Sequence, residues 1–186
     1  MNINWMFTTS SEIALPDNKS IVFLDVDGVI CPYGFSRRWD HNLENTAEYL
    51  AKKYNDDLYL RMPISDLGGA YYDWDLESLG KLKKLLDYTE SEIVIHSDLR
   101  IWNDLESFKG MFRLYGMDEY VIDVCNPKLD KIETIEDYLN KTPNIENYVI
   151  FDDNDELKVF GDNFIYTKNL LTDENIDAAN KVLLRY

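Results

Sequence analysis

Ile21-Val22-Phe23-Leu24-Asp25-Val26-Asp27-Gly28-Val29 decides how the rest of the chain is read. Its apolar start, rich in β-branched and aromatic residues, has the pattern of a strand buried on both faces, and such strands belong to parallel sheets. The run breaks off at two aspartates. Alternation along a strand sets Asp25 and Asp27 on one side, and Gly28 lets the backbone turn away past the sheet edge. Two carboxylates at the end of a buried strand repel each other unless a cation, a shared proton or hydrogen-bond donors compensate. The stretch therefore points to a metal or a perturbed acid as well as to a sheet.

Outward from it, the β-loop-α pattern recurs. Ile93-Val94-Ile95 reads as a second buried strand ending at His96-Ser97-Asp98, with a helical pattern after it through Trp102, Leu105, Phe108 and Phe112. A third strand, Tyr120–Val124, leads into a helix near Lys131–Leu139. Tyr148–Phe151 makes a fourth that runs into Asp152-Asp153, and Asn163–Tyr166 a short fifth. Asp75 and Thr172 are placed to cap helices whose leucines, isoleucine and valine recur at helical spacing. Strands alternating with helices predict an α/β, Rossmann-like fold, a mainly parallel sheet with helices on both faces. Between the first strand and the Asp75 helix, residues 31–73 read as a small insertion over the strand end. Pro32, Gly34, Pro63 and Gly68-Gly69 act there as breakers around one helix near Leu43–Tyr54. Its aromatics and Arg37, Arg38 and Arg61 suit a cover over a substrate pocket. Residues 1–19 are polar and turn-like and carry no recognisable chemistry.

At 186 residues the chain suits a single domain, 1–186, with that insertion inside it. No segment is long and apolar enough for a membrane span, and the first residues lack the pattern of a secretory signal. Cys31 and Cys125 have neither metal-like nor redox-like spacing and read as reduced, packed thiols, in keeping with a cytoplasmic protein. A formal net charge of -16 disfavours extended contact with nucleic acid or an anionic membrane, but it leaves a terminal phosphate open as substrate.

In an open parallel sheet, ligands bind outside the carboxyl ends of the strands, where Asp25, Asp27, Ser97, Asp152 and Asp153 converge. That set suits a small phosphorylated substrate with Mg²⁺, a hard ion bound by carboxylate oxygens; Asp25, Asp27, Asp152 and Asp153 are the candidate ligands, Asp27 through its backbone carbonyl. Asp25 is the candidate nucleophile, forming an aspartyl-phosphate, and Asp27 the acid and later the base. Ser97 can donate to a phosphoryl oxygen, and Lys131 or Lys128 can offset its charge. Lys131 is favoured because it opens a helix, whose N-terminal dipole also attracts phosphate.

With these parts in this order the chain resembles the haloacid dehalogenase (HAD) superfamily of aspartyl-phosphate phosphohydrolases. Asp25-Val26-Asp27-Gly28-Val29 is similar to its first motif, Ser97 to its second, Lys131 to its third and Asp152-Asp153 to its acidic fourth. The Ser97-Asp98-Leu99-Arg100 and Phe151-Asp152-Asp153-Asn154-Asp155 blocks further resemble the HAD domain associated with Swiss Army Knife RNA repair proteins, although Leu99 stands where that pattern carries an aromatic. The resemblance implies a Mg²⁺-dependent phosphatase acting on a phosphate monoester, with a nucleotide or a terminal nucleic-acid phosphate among the candidates, and Arg100 as a further substrate contact. The alternative from another class is a non-catalytic interaction protein that keeps the fold while its acidic surface binds a basic protein partner.

Overall fold

A computed structural model describes residues 19–34 and 36–185; the polar stretch 1–18 lies outside them. Five parallel strands form one sheet: β1 Lys19–Leu24, β2 Glu92–Ile95, β3 Val121–Val124, β4 Ile145–Asp152 and β5 Phe164–Tyr166, in the spatial order β3-β2-β1-β4-β5. The chain builds outward from β1 to one edge, then returns to add β4 and β5 on the other side. The strand order therefore reverses beside β1, the position at which such sheets open a binding crevice. The register pairs Leu24 with both Ile95 and Phe151, so the residues following all three strands emerge together.

Why β1 is apolar from Ile21 to Leu24 is evident from its two faces. Val22 and Leu24 pack into a core completed by α4 (Leu76–Thr89), α5 (Leu105–Arg113) and α7 (Asp173–Leu183), through Leu79, Leu82, Phe108, Phe112, Ala179 and Val182. Ile21 and Phe23 face the opposite layer, where α6 (Lys131–Lys141) contributes Ile135 and Tyr138 and the 3-10 segment Asp155–Asn163 contributes Leu157. Each fully buried side chain of this kind is worth about 1.5–3 kcal/mol relative to exposure. The caps read from sequence are present: Asp75 accepts the Ser78 N–H, and Thr172 and Asn175 form a reciprocal capping box.

Two expectations are corrected. The first strand ends at Leu24, immediately before the aspartates, so the strand alternation that sets Asp25 and Asp27 on one side does not carry through Asp27: the Val26 carbonyl turns to accept the N–H groups of Val29, Ile30 and Cys31 in a tight loop. Val29 and Ile30 are apolar because that loop is buried, not because they are in the sheet. Within the insertion, Pro63 does separate two helices, but Gly68-Gly69 do not break structure, and three α-helices stand among the described residues where one was expected. The segment holds α1 (Leu43–Tyr54), α2 (Leu58–Arg61) and α3 (Ile64–Tyr72), with Pro63 as the α3 N-cap, where a missing N–H costs little. A Cβ on Gly68 would lie 2.8 Å from Leu43 Cδ2, and one on Gly69 2.6 Å from the Arg38 guanidinium carbon. Close packing thus outweighs the roughly 1 kcal/mol helix penalty of each glycine.

Leu50, Tyr59, Met62, Leu67 and Ala70 of the insertion belong to the same buried cluster as Val22 and Leu24. Asp73, 4% exposed, ties the start of the segment to its end: it accepts from Ser36 Oγ at 2.8 Å, from the Arg37 and Arg38 amides and from Arg38 Nε at 2.5 Å.

Cys31 and Cys125 are buried, and burial pushes both thiols up to about 12. Neither is a thiolate at neutral pH. Native protein at pH 8 should therefore leave both unreacted with a chromogenic disulfide over minutes, whereas protein unfolded in guanidinium should titrate both; rapid native labelling would contradict the burial described.

Candidate active site

Three segments meet at the carboxyl edge of the sheet. Asp25 continues the ladder by one residue, its N–H donating to the Phe151 carbonyl at 3.0 Å, and this sets it beside Asp152 on β4. The chain then turns through Gly28, whose φ of +76° favours glycine. Space demands glycine as well: a Cβ there would lie 2.7 Å from both Asp153 Cγ and Tyr33 Cε2. The turn expected at Gly28 is present, and it sets the loop after Asp25 directly against Asp153.

Asp25 and Asp152 are 3% and 0% exposed. Two ionised carboxylates so deep in protein require a cation, and Lys131 supplies one: its Nζ donates to Asp25 Oδ2 at 2.9 Å and to Asp152 Oδ2 at 2.8 Å. Burial disfavours the ammonium, but the two carboxylates outweigh it and hold Lys131 above the usual lysine range. One positive charge does not neutralise two negative ones. Burial, and then the Asp25 charge, push the Asp152 carboxyl up to about 6, against the opposing pull of Lys131. Asp153, half-buried, completes an oxygen-rich cluster in which ligand atoms of Asp25, Asp152 and Asp153 lie within 4.8 Å of one another. The donor set is all carboxylate and its negative charge exceeds the one ammonium, which fits a hard divalent cation such as Mg²⁺.

Asp27 is half-buried, and its carboxylate is not part of that cluster. Burial and the neighbouring Asp25 raise its pKa, while a hydrogen bond with Cys31 and the charge of Arg38 oppose the rise. A carboxyl whose pKa is raised in this way is the better suited of the two aspartates after β1 to donating a proton.

Ser97 is buried two residues past the end of β2, and its Oγ accepts the Leu99 N–H at 3.4 Å, so it caps the 3-10 turn Asp98–Ile101. Of the two candidate lysines, Lys131 is in the cluster and Lys128 is exposed. Arg100, expected to contact substrate, is 4% exposed and occupied. It donates to the His96 carbonyl at 2.8 Å, to Asp98 Oδ1 at 2.9 Å, to the Leu129 carbonyl at 2.8 Å and to the Asn126 carbonyl at 3.4 Å. It clamps the end of β2 to the loop that delivers Lys131. Leu99, in place of an aromatic, packs half-buried against the main core.

Further residues stand at the site beyond the expected catalytic set. His96 is fully buried with Nδ1 3.6 Å from Asp152 Oδ2, and burial lowers its pKa to about 4, so it stands there as neutral imidazole. Its place immediately before Ser97 at a strand end was a visible signal. The Tyr33 hydroxyl hydrogen-bonds Asp153, and Asp66 on α3 adds its charge to the surroundings of Asp27. Nothing in the sequence around Tyr33 or Asp66 marks them for these places.

The family model described as the HAD domain in Swiss Army Knife RNA repair proteins matches residues 21–176, most of the chain and all of the residues above. No curated protein matches it.

Proposed function

Because the chain belongs to the family of HAD domains in Swiss Army Knife RNA repair proteins, we propose that it is a Mg²⁺-dependent phosphohydrolase that cleaves a phosphate monoester through an aspartyl-phosphate on Asp25. The observation that carries this reading is the Asp25–Lys131–Asp152 cluster, a buried carboxylate held in one orientation by an ammonium beside a second carboxylate.

Asp25 attacks phosphorus while the bond to the ester oxygen breaks, and Asp27 gives its proton to that leaving oxygen. Lys131 and Ser97 hold the phosphoryl oxygens on which charge gathers. Asp27, now ionised, takes a proton from water as the water attacks the phosphorus of the acyl phosphate; inorganic phosphate leaves and Asp25 is restored. Mg²⁺ held by Asp25, Asp152 and Asp153, with the Asp27 carbonyl, would offset the cluster's excess negative charge and polarise the phosphoryl group. Arg100 and His96 act through others, Arg100 by fixing the Lys131 loop and His96 by packing against Asp152.

A nucleotide or a terminal nucleic-acid phosphate suits both the family and the charge, since one phosphate group can enter where an extended polyanion meets a net charge of -16. No helix among the described residues is long and apolar enough to cross a membrane, and the buried, unpaired thiols are in keeping with a cytoplasmic setting.

The test is turnover of an aryl phosphate by purified protein with Mg²⁺, abolished by EDTA. Calorimetry should show Mg²⁺ affinity falling at least tenfold in Asp152→Ala; equal affinity in the variant would remove the metal from this cluster. A protein that turned over no phosphate ester under any divalent cation would sink the enzyme reading.

A further inference from the structure

Tyr33 stands near the start of the insertion and is 56% exposed. Three contacts nevertheless hold it at the edge of the catalytic cluster. Its ring reaches back over the Gly28 loop: the point where a Gly28 Cβ would lie is 2.7 Å from Tyr33 Cε2 and also 2.7 Å from Asp153 Cγ, so ring and carboxyl flank the same gap. The Tyr33 hydroxyl is engaged by Asp153, which offers an oxygen within 4.8 Å of oxygens of Asp25 and Asp152. The Tyr33 amide donates at 2.8 Å to Asn169 Oδ1, on the loop after β5, and that loop is itself fixed by the Leu171 N–H, which donates to the Val29 carbonyl at 3.0 Å. A side chain open to solvent and yet held at its backbone, its ring edge and its hydroxyl has given up freedom that an ordinary surface residue keeps. What stays open is the rest of an aromatic ring, next to the reacting carboxylates.

The ring is also on the side to which the leaving group departs. Asp27, which protonates the leaving oxygen, has Cys31, Arg38 and Asp66 of the insertion around it. Tyr33 is close enough to feel the charges of both Asp25 and Asp27. Lys131 reaches Asp25 and Asp152 from α6, in the opposite layer of the fold. A phosphoryl group between Asp25 and Lys131 therefore directs its ester oxygen towards Asp27 and the insertion, and there Tyr33 is an aromatic surface that touches the cluster itself.

We infer that Tyr33 is a substrate contact that determines specificity: its ring receives the leaving group and favours esters that carry a ring close to the ester oxygen over those that carry a short chain. Aromatic faces and edges gain most from contact with other flat, apolar groups. The inference rests on the phosphohydrolase reading above, and it adds what the ester carries.

Benzyl phosphate and ethyl phosphate, compared as substrates with Mg²⁺, test it. Both release a primary alcohol, so both need the same help from Asp27, and they differ in the ring. Wild type should favour the benzyl ester. Tyr33→Ala should lower the ratio of the two kcat/KM values by about tenfold, mainly through KM, and Tyr33→Phe, which keeps the ring and loses the hydroxyl, should retain the ratio. Tyr88→Ala, at an exposed aromatic near the end of α4, just before β2 begins and so at the amino edge of the sheet, should leave the ratio unchanged. A ratio untouched by Tyr33→Ala, or a fall in kcat that is equal for both esters with KM unchanged, would overturn the contact while leaving the enzyme standing. Calorimetry with benzylphosphonate and ethylphosphonate, which cannot be hydrolysed, separates the two readings. If wild type turns over neither ester but binds benzylphosphonate the more tightly, and Tyr33→Ala abolishes that preference while Tyr33→Phe keeps it, the contact stands and the phosphohydrolase reading falls. Equal binding of the two phosphonates, or binding of neither, would count against the contact.

Discussion

Asp25→Asn is expected to reduce turnover by ~10³-fold or more for every phosphate ester, as when other covalent nucleophiles are removed. The substitution is nearly isosteric at a position 3% exposed. It exchanges the oxygen that Lys131 holds at 2.9 Å for a group that cannot attack phosphorus, while Lys131 keeps Asp152 as a partner at 2.8 Å. Relief of the Asp25 charge also lets Asp152 ionise more easily, since that charge is one of the two causes that push its carboxyl up. The fold should therefore survive. Rates measured alongside circular dichroism check this directly, and a folded variant that retains more than a tenth of wild-type turnover would show that the nucleophile is another group. The loss should not depend on the leaving group, because bond formation to phosphorus is removed whatever departs.

Asp27→Asn should behave differently, because Asp27 is half-buried, lies outside the carboxylate cluster and has a raised pKa. Removal of a proton donor costs ~10²–10⁴-fold. The cost should shrink towards the lower end for aryl phosphates, whose leaving oxygen needs little protonation, and be largest for alkyl esters. The second half of the reaction uses the same side chain to activate water, so the aspartyl-phosphate should accumulate on Asp25 and be trapped by hydroxylamine or seen as added mass. Phosphate found on another residue, or equal losses for good and poor leaving groups, would reverse these roles.

The parts of the molecule legible in the sequence are those in which one physical demand dominates. Burial on both faces makes β1 apolar from Ile21 to Leu24, and the capping of α4 and α7 needs a side-chain oxygen at one position, so Asp75 and Thr172 could be placed in advance. The family resemblance read from the first, second, third and fourth motifs agrees with the match over 21–176. Where two demands compete, single-sequence reading fails. Gly68 and Gly69 look like breakers because propensity is local, yet they are helical because Leu43 and Arg38 press against them from more than twenty residues away. Alternation assigns Asp25 and Asp27 one strand face, yet the strand ends at Leu24 and the buried loop that follows sets Asp27 outside the carboxylate cluster. The motif implies Arg100 as a substrate contact, whereas three backbone carbonyls accept from its guanidinium, and those partners are set by the path of the chain rather than by its residue types.

The shared core of the insertion has a consequence for how specificity in this protein can change. A covering segment that rests on its own core can be exchanged for another as a cassette, but this one cannot: Leu50, Tyr59 and Leu67 fill the same interior as β1, and the Tyr59 hydroxyl reaches across to the Gly110 carbonyl of α5 at 3.0 Å. Excising residues 31–73 would open the main interior to water, and grafting them onto another sheet would leave them without a floor. New substrates are therefore more accessible to this scaffold through point changes at exposed positions of the insertion than through recombination of whole segments.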